Sequence, residues 1–199
     1  MAIYLDYNST TPIDPRVLDR MIDVYKNHPG NADSRTHDFG EDARKIVEQA
    51  RGEVAILLGV KSDEIFFTSG ATESNNLAIL GLREYAESTG KKHIVTTSIE
   101  HHSVLNVLKF MGKQGFDITY VDPEQSGRVN AKKVLSYVRS DTLLVSVMHV
   151  NNETGIIQPV EEIGEALNRI GVLFHVDATQ SCGKLVEEIR NLKYDMLSL

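Results

Sequence analysis

Short apolar segments alternate with segments of helical spacing along most of this sequence. The strand-like segments are 64–68, 93–97, 118–121, 143–150, 173–176 and 194–199, and the helix-like segments between them are 39–58, 71–88, 102–114, 131–139 and 160–170. Strands that alternate with helices form parallel βαβ units, whose helices cover both faces of the sheet. The sequence therefore predicts an α/β fold with three layers, α/β/α, and a mostly parallel sheet.

The N-terminal residues do not follow this alternation. Residues 8–15 are dense in turn formers, and Asp14 is placed to cap a helix that has Pro15 at its first position. We predict an N-terminal arm, 1–14, followed by one larger domain, 15–199. The sequence ends in an apolar strand without a cap or a tail, which we interpret as the first part of a longer protein.

The composition excludes several classes of protein. The sequence is 41% apolar and 25% charged, as in soluble globular proteins. Its net charge of −7, without a long basic run, argues against nucleic acid or an acidic membrane as the main partner. The only cysteine, Cys182, excludes an internal disulfide and fits a reducing compartment. We predict neither a signal peptide nor a membrane-spanning helix.

Polar residues follow four of the predicted strands, where each strand leaves the sheet. In the first group, Thr68 to Thr72, a turn of small residues leads directly into a helix. Backbone N–H groups at such a helix start can bind a phosphate. The segment is neither a Walker loop nor a dinucleotide fingerprint, so neither ATP nor a nicotinamide cofactor is indicated. An ordinary capped turn is the structural alternative.

The second and third groups contain histidines and amides. His101 and His102 follow the strand 93–97, and Asn151 and Asn152 follow the strand 143–150. A histidine there can stack on a flat ring or move a proton near neutral pH, and amides can fix an anionic oxygen. Adjacent histidines diverge on a helix, so we predict no metal site. A capping histidine and an Asn-rich turn are the structural alternatives.

The fourth group is Asp177 with Gln180. Asp177 follows the apolar residue Val176 without an intervening turn residue, so its carboxylate sits where a buried strand ends. Burial of an unpaired charge costs several kcal/mol, so we expect a cationic partner. A strand-end Asp that caps the next turn is the structural alternative.

Together the four groups fit a phosphorylated, flat heterocycle. Such a ligand needs a phosphate cradle, a stacking face, an amide for a ring oxygen and an acid for a ring nitrogen. Pyridoxal phosphate has all of these features, and its protonated ring would also supply the cation that Asp177 requires.

Several long motifs occur in a fixed order that resembles one family. The chain is similar from residue 3 to residue 199 to the cysteine desulfurases of the NifS/IscS group, which belong to the class V aminotransferases. The motifs that carry this resemblance are YLDYNSTTP at 4–12, TSGATES at 68–74, Glu100-His101, MHVNNETG at 148–155 and HVDATQS at 175–181.

The resemblance implies a fold, an activity and partners. The fold would be the large domain of fold-type I pyridoxal phosphate enzymes, with the arm 1–14 packed against a small domain. These enzymes convert L-cysteine to L-alanine and pass the sulfur, through an enzyme persulfide, to an acceptor. The acceptor would be a protein such as an iron–sulfur scaffold, or a pathway of nucleic-acid thiolation. A cytoplasmic homodimer that binds no nucleic acid or membrane directly is expected.

The resemblance also assigns roles to individual residues. Ala71 and Thr72 would hold the phosphate, while His101 would stack on the ring and act as an acid or base. Asn152 would lie beside cofactor and substrate, Asp177 would meet the pyridine nitrogen, and Gln180 would meet the ring oxygen. A loop near the family's active site resembles the residues Asn31, Ser34, His37 and Gly40, although Ala32 replaces a usual proline.

Three functional groups of the family are not matched. The Schiff-base lysine, in a Ser-x-His-Lys segment, is expected just after Leu199, with the persulfide cysteine and the carboxylate-binding arginine further on. Lys184 and Lys193 do not match the lysine position, and we predict that Cys182 packs as a small buried apolar group. Residues 1–199 alone are therefore expected to hold the cofactor-binding half of the enzyme and to be inactive.

Other functions remain open on the sequence. A selenocysteine lyase or a class V aminotransferase could use the same scaffold, and a non-catalytic partner subunit could keep the fold without the lysine. A nicotinamide-binding domain is disfavoured, because no predicted strand is followed by a glycine fingerprint.

Overall fold

A computed structural model describes residues 3–199. The chain divides into two compact units, one ending at Phe67 and the other running from Thr68 to Leu199. Among the described helices, none is long and apolar enough to cross a membrane.

The N-terminal unit contains two long helices, α1 (Pro15–Asn27) and α2 (Asp38–Leu58). Asp14 caps α1 as predicted, because its carboxylate accepts a hydrogen bond from the backbone N–H of Arg16 at 2.8 Å. The helix α2 ends at Gly59, whose φ of 73° is a conformation that glycine adopts without strain. The apolar stripe of α1 is exposed to solvent, with Val17, Leu18, Met21, Ile22 and Tyr25 all accessible.

The strand predicted at 64–68 is wrong. The structure has a 3-10 turn at Ser62–Glu64, and the residues after it form no regular element. Phe66 and Phe67 are exposed. A strand is stabilised by hydrogen bonds to a neighbouring strand, and none of the described strands pairs with this segment.

The C-terminal unit contains the sheet. Its elements are α3 (Ala71–Leu80), α4 (Arg83–Thr89), β1 (His93–Thr97), α5 (His102–Lys113), β2 (Asp117–Val121), α6 (Ala131–Ser136), β3 (Thr142–Met148), α7 (Val160–Ile170), β4 (Leu173–Asp177), α8 (Val186–Asn191) and β5 (Met196–Ser198).

The five strands form one parallel sheet in the order β2-β1-β3-β4-β5. The helix α3 packs on α5, and α6 packs on α7. Because right-handed crossovers that run in opposite directions place their helices on opposite faces, the two pairs cover the two faces of the sheet. The predicted three-layer α/β fold is confirmed. The order reverses between β1 and β3, and the carboxyl ends of strands at such a point form the usual ligand crevice.

The central strands are buried throughout. Every residue of β1 and β3 is buried, and the aliphatic side chains of Ile94 and Leu144 pack with Ile79 of α3 and Leu108 of α5. Each fully buried side chain of this size contributes roughly 1.5–3 kcal/mol. This core gives a rigid support to the polar residues at the strand ends.

Several elements differ from the sequence predictions. The helix predicted at 71–88 is two helices that break at Gly81 and Leu82, where glycine disfavours a continuous helix. The helix α6 is shorter than predicted, and β3 ends at Met148, with Val150 in an isolated antiparallel bridge to Ile157. The short helix α8 was not predicted, because six residues are too few to show a helical period.

Candidate functional site

The residues assigned to a cofactor lie at the carboxyl edge of the sheet or at the start of a helix beside it. Their positions are the first turn of α3 for Ala71 and Thr72, the N-cap of α5 for His101, the turn after β3 for Asn152, the last residue of β4 for Asp177, and the next turn for Gln180.

Asp177 is buried, with 5% of its surface exposed. One carboxylate oxygen accepts a hydrogen bond from the side-chain amide of Asn75 at 2.8 Å. The other accepts from the backbone N–H of Thr179 at 3.1 Å and from its hydroxyl at 2.6 Å. The cation expected from the sequence is absent from the ion pairs that residues 3–199 form, so neutral donors alone stabilise this carboxylate within the described chain.

A chain of hydrogen bonds joins Asp177 to His101. The amide nitrogen of Asn75 donates to Asp177 and also to the hydroxyl of Ser103 at 2.8 Å. The Ser103 hydroxyl lies 2.8 Å from Nδ1 of His101, and the Ser103 backbone N–H donates to the same nitrogen at 3.2 Å. Because Nδ1 accepts, the neutral imidazole carries its proton on Nε2, the nitrogen left for a ligand.

Asn75 and Ser103 were not identified from the sequence. Asn75 is fully buried and precedes Ile79, also buried, by one helical turn. A polar residue on the buried face of a helix requires a hydrogen-bond partner. The position of Asn75 on the same helix face as Ile79 was therefore the sequence signal that could have identified it. The Oδ1 atom of Asn75 is buried without a partner.

The backbone N–H groups at the start of α3 are a candidate site for an anion. The N–H of Ser69 donates to the carboxylate of Glu73 at 2.6 Å, and the N–H of Gly70 donates to the hydroxyl of Thr68 at 3.3 Å. The hydrogen bond from Ser69 lowers the pKa of Glu73. Ala71 and Thr72 lie in the first helical turn, where N–H groups have no partner within the helix. The assignment of a phosphate to Ala71 and Thr72 stays a prediction.

Glu100 is a second buried acid in this region, with 5% of its surface exposed. Burial raises the pKa of Glu100 from 4.5 to about 8, and the charge of Asp177 adds to the rise, although hydrogen bonds from Thr97 and Met148 oppose it. Glu100 is therefore a neutral acid at pH 7. Its Oε2 atom is buried without a hydrogen-bond partner.

His175 lies two residues before Asp177 on the same strand. Its Nδ1 is 2.8 Å from the hydroxyl of Ser146 on β3, and its Nε2 is 3.0 Å from the hydroxyl of Ser198 on β5. Burial lowers the pKa of His175 from 6.5 to about 4, against the opposite effect of Asp177. The imidazole is therefore neutral at pH 7 and does not serve as the cation for Asp177.

The remaining site residues have other contacts. The amide of Asn152 donates to Glu153 at 2.8 Å, and the backbone carbonyl of Gln180 accepts from the ammonium of Lys184 at 3.2 Å. Cys182 is partly exposed, so the prediction that it is buried is wrong; it lies in a turn outside the core. Its partial burial raises the pKa of the thiol. The described residues contain no group of three or more potential ligands that could hold a metal.

The loop that resembles part of the family's active site lies in the N-terminal unit. The imidazole of His37 is 3.0 Å from the hydroxyl of Ser34 and accepts from the N–H of Gly40 at 3.1 Å. Arg44 donates to the carbonyls of Ala32 at 2.9 Å and Ser34 at 2.8 Å. A side chain on Gly40 would lie 2.4 Å from the Ser34 carbonyl oxygen, so only glycine fits. Contacts from His37 and Arg44 therefore hold the backbone of this loop, which has Ala32 where the resemblance leads us to expect a proline.

Comparison with known proteins identifies the family of this chain. Residues 3–199 match the family described as Aminotransferase class-V. The chain belongs to this family. The resemblance inferred from the motifs is confirmed, since the chain is also 47% identical over 199 residues to "Cysteine desulfurase IscS" of Anaeromyxobacter sp. (strain K).

Two solved structures have the same fold as this chain. A NifS-like protein superposes with a TM-score of 0.93 at 41% identity, covering 100% of this chain and 55% of that one. SspA in complex with cysteine superposes with a TM-score of 0.90 at 40% identity, covering 98% of this chain and 56% of that one. The chain spans about half the length of the curated relatives it matches, with all of it aligned to 49% of the Anaeromyxobacter protein.

Proposed function

We propose that this chain forms the pyridoxal phosphate-binding part of a cysteine desulfurase. The enzyme would convert L-cysteine to L-alanine and pass the sulfur, as a persulfide, to an acceptor such as an iron–sulfur scaffold protein. The observation that carries the proposal is the buried carboxylate of Asp177, which is hydrogen-bonded by neutral donors and has no cationic partner in the ion pairs of residues 3–199. Relatives named cysteine desulfurase, and a relative solved with cysteine, support the choice of substrate.

The available groups fit this cofactor. A protonated pyridine nitrogen supplies both the positive charge and the donor that a buried carboxylate favours. The first-turn N–H groups of Ala71 and Thr72, at the positive end of α3, suit a phosphate. On the resemblance, we assign Gln180 to the ring oxygen and place Asn152 beside the cofactor and the substrate. When bound, pyridoxal phosphate supplies a ring that draws electrons from an amino acid substrate.

The protein residues would orient the ring and handle protons. Asp177 would hold a proton on the ring nitrogen, since its carboxylate is fixed on both sides by Asn75 and Thr179. Glu100 and His175 are both neutral at pH 7, so neither competes with Asp177 for this role. His101 would stack on the ring and donate or accept a proton at Nε2, because Nδ1 is occupied by Ser103.

The proposed function is tested by cofactor binding. Purified residues 1–199 should bind pyridoxal phosphate more tightly than pyridoxal, which lacks the phosphate, and Asp177→Asn should weaken binding. Equilibrium dialysis gives both affinities. Equal affinity for the two ligands, or binding unaffected by the substitution at Asp177, would contradict the proposed site.

The position of the cofactor-bonding lysine is tested separately. We propose, from the Ser-x-His-Lys resemblance, that it lies outside residues 1–199, so borohydride reduction of these residues with pyridoxal phosphate should give only scattered, substoichiometric lysine adducts by mass spectrometry. One stoichiometric adduct at a single lysine, with release of alanine from cysteine, would show that residues 1–199 already contain the catalytic lysine. We call the proposed protein that also contains this lysine the longer protein. Faster turnover of selenocysteine than of cysteine by the longer protein would instead favour a selenocysteine lyase.

We predict that His101→Ala in the longer protein retains the cofactor and lowers turnover by a factor of roughly 10²–10⁴, the usual contribution of a general acid or base. Alanine formation and cofactor absorbance measure the two effects. His102→Ala is the matched control, because His102 is the adjacent, exposed residue. Loss of the cofactor in His101→Ala would show that stacking is the main role of this ring.

A further inference from the structure

The neighbouring strands β1 and β3 separate at the edge of the sheet where the site lies. Their backbone pairing continues as far as Thr96 and Ser146. After this point β1 leads to the loop that contains His101, and β3 leads to the turn that contains Asn152. The distance between two proposed site residues thus depends on what holds these loops together after the backbone pairing ends.

Glu100 makes a side-chain connection from the first loop to β3. Its Oε1 atom accepts a hydrogen bond from the backbone N–H of Met148 at 3.0 Å. The same oxygen accepts from the hydroxyl of Thr97, at the end of β1, at 2.6 Å. Glu100 therefore replaces, with its side chain, a backbone partner that β1 no longer provides.

Asn151 makes the opposite connection. Its amide nitrogen donates to the backbone carbonyl of Ile99 at 3.0 Å, so a side chain after β3 binds the loop after β1. Its amide oxygen accepts from the N–H groups of Glu153 at 3.0 Å and Thr154 at 2.9 Å, which fixes its own turn. Asn151 and Glu100 are equally buried, each with 5% of its surface exposed.

We propose that Glu100 and Asn151 form a reciprocal clasp that sets the spacing between His101 and Asn152, and that both are positioning residues for the site. Each clasp residue directly precedes the residue that it positions. The clasp itself is defined by the contacts of Glu100 and Asn151, whereas its role in ligand binding rests on the proposed function.

The chemistry of Glu100 agrees with this role. Burial and the carboxylate of Asp177 keep the side chain protonated at neutral pH, so Glu100 acts as a neutral acceptor at Oε1. A glutamine would provide the same acceptor and would place an amide N–H₂ where the second oxygen lies. A negative charge is therefore not required for the clasp.

Two substitutions of nearly equal size test the clasp with opposite expected results. Glu100→Gln retains the acceptor for Met148 and should preserve the clasp. Asn151→Asp retains the oxygen that fixes its own turn but removes the donor to Ile99, so it should break the clasp. Glu100→Ala should break it from the other side, and Glu87→Ala, at an exposed position on α4, is the matched control.

The first measurements need no cofactor. Amide hydrogen exchange of Met148 and the imidazole NMR shifts of His101 report the two ends of the connection. We expect exchange at Met148 to become at least about tenfold faster in Glu100→Ala, since a lost hydrogen bond of typical strength corresponds to roughly this factor. The His101 signals should move in Glu100→Ala and Asn151→Asp, while Glu100→Gln and Glu87→Ala should match the wild type.

Binding of pyridoxal phosphate then tests the functional role. We expect its Kd to rise about tenfold in the two clasp-breaking variants and to stay unchanged in Glu100→Gln. Unchanged His101 shifts in Asn151→Asp would overturn the clasp, as would a Glu100→Gln variant as disrupted as Glu100→Ala. If Glu100→Ala does not fold, Glu100→Gln and Asn151→Asp, whose side chains keep nearly the same size, still test the clasp. If Met148 exchange and the His101 shifts change as expected but neither the wild type nor any variant binds the cofactor, the proposed function is contradicted. The clasp would still be supported by these two measurements.

Discussion

Replacing Asp177 by Asn should lower turnover of the longer protein by about 10²–10⁴-fold while the fold is retained. Loss of one partner from a buried ionic pair costs about 3–5 kcal/mol, and each 1.4 kcal/mol corresponds to a factor of ten in rate. The asparagine cannot hold the ring nitrogen protonated, so the ring attracts electrons less strongly. Alanine formation from cysteine at saturating cofactor measures this effect.

The substitution should also disturb the hydrogen bonds around Asn75. An amide N–H₂ at position 177 would face the Asn75 amide nitrogen that now donates to Asp177 at 2.8 Å. A flip of Asn75 would relieve this conflict by using its unpartnered Oδ1, but it would remove the bond to Ser103 and so alter the contacts of His101. We therefore expect the His101 NMR signals to move in Asp177→Asn.

A matched control separates the charge of Asp177 from its hydrogen bonds. Thr179→Ala removes the hydroxyl that donates to Asp177 at 2.6 Å and leaves the carboxylate in place. A hydrogen bond to a charged group contributes about 1.5–3 kcal/mol, less than the about 3–5 kcal/mol for loss of one partner of a buried ionic pair, so turnover should fall less than in Asp177→Asn. An Asp177→Asn variant within a few-fold of the wild-type rate would show that Asp177 does not have the proposed role.

The sequence predicted the parts of this structure that follow from local pattern. The strands at 93–97 and 173–176 were located from short apolar runs, and α7 was located from its helical period. Asp177 was identified as important because a charged residue directly follows a buried strand. Such features depend on neighbours in sequence, so they are visible before the chain is folded.

The parts that the sequence did not predict depend on contacts between distant residues. Asn75 reaches Asp177 across 102 positions in the sequence, and Glu100 reaches Met148 across 48. The protonation of Glu100 follows from burial, which is a property of the folded chain. The segment 64–68 has strand-like residues, but a strand also needs a partner, and no described strand pairs with it.

Two titratable groups near the carboxyl edge of the sheet are held in their neutral forms by burial. Glu100 is buried beside the charge of Asp177, which favours its neutral form. His175 is buried between two serine hydroxyls, which also favours its neutral form. Asp177 receives hydrogen bonds from Asn75 and Thr179, which fix the position of its side chain.

The shifted pKa values of Glu100 and His175 predict how the stability of the protein depends on pH. The pKa of Glu100 is about 8 in the folded protein and near 4.5 in the unfolded chain. Its contribution to stability is fully present below pH 4.5 and is lost as pH rises towards 8, because only the unfolded chain ionises in this range. The effect of His175 has the opposite sign: its contribution is present above pH 6.5 and is lost as pH falls towards 4. The two ranges overlap between about pH 4.5 and 6.5, where the opposite slopes nearly cancel, so the combined contribution of these two groups should be greatest there and fall on either side.

Glu100→Gln isolates the alkaline side of this dependence. The glutamine keeps the hydrogen bonds and does not ionise, so the free energy of unfolding of wild type should fall relative to the variant by about 1.4 kcal/mol per pH unit from pH 5 to 8. The total difference near pH 8 is on the order of 5 kcal/mol, comparable to the whole stability of many domains. Urea unfolding followed by circular dichroism at several pH values measures it. His175 is present in both proteins, so its acid-side effect cancels in the difference. Parallel curves for the two proteins between pH 5 and 8 would mean that Glu100 is ionised in the folded state, and the neutral-acid role assigned to it would be wrong.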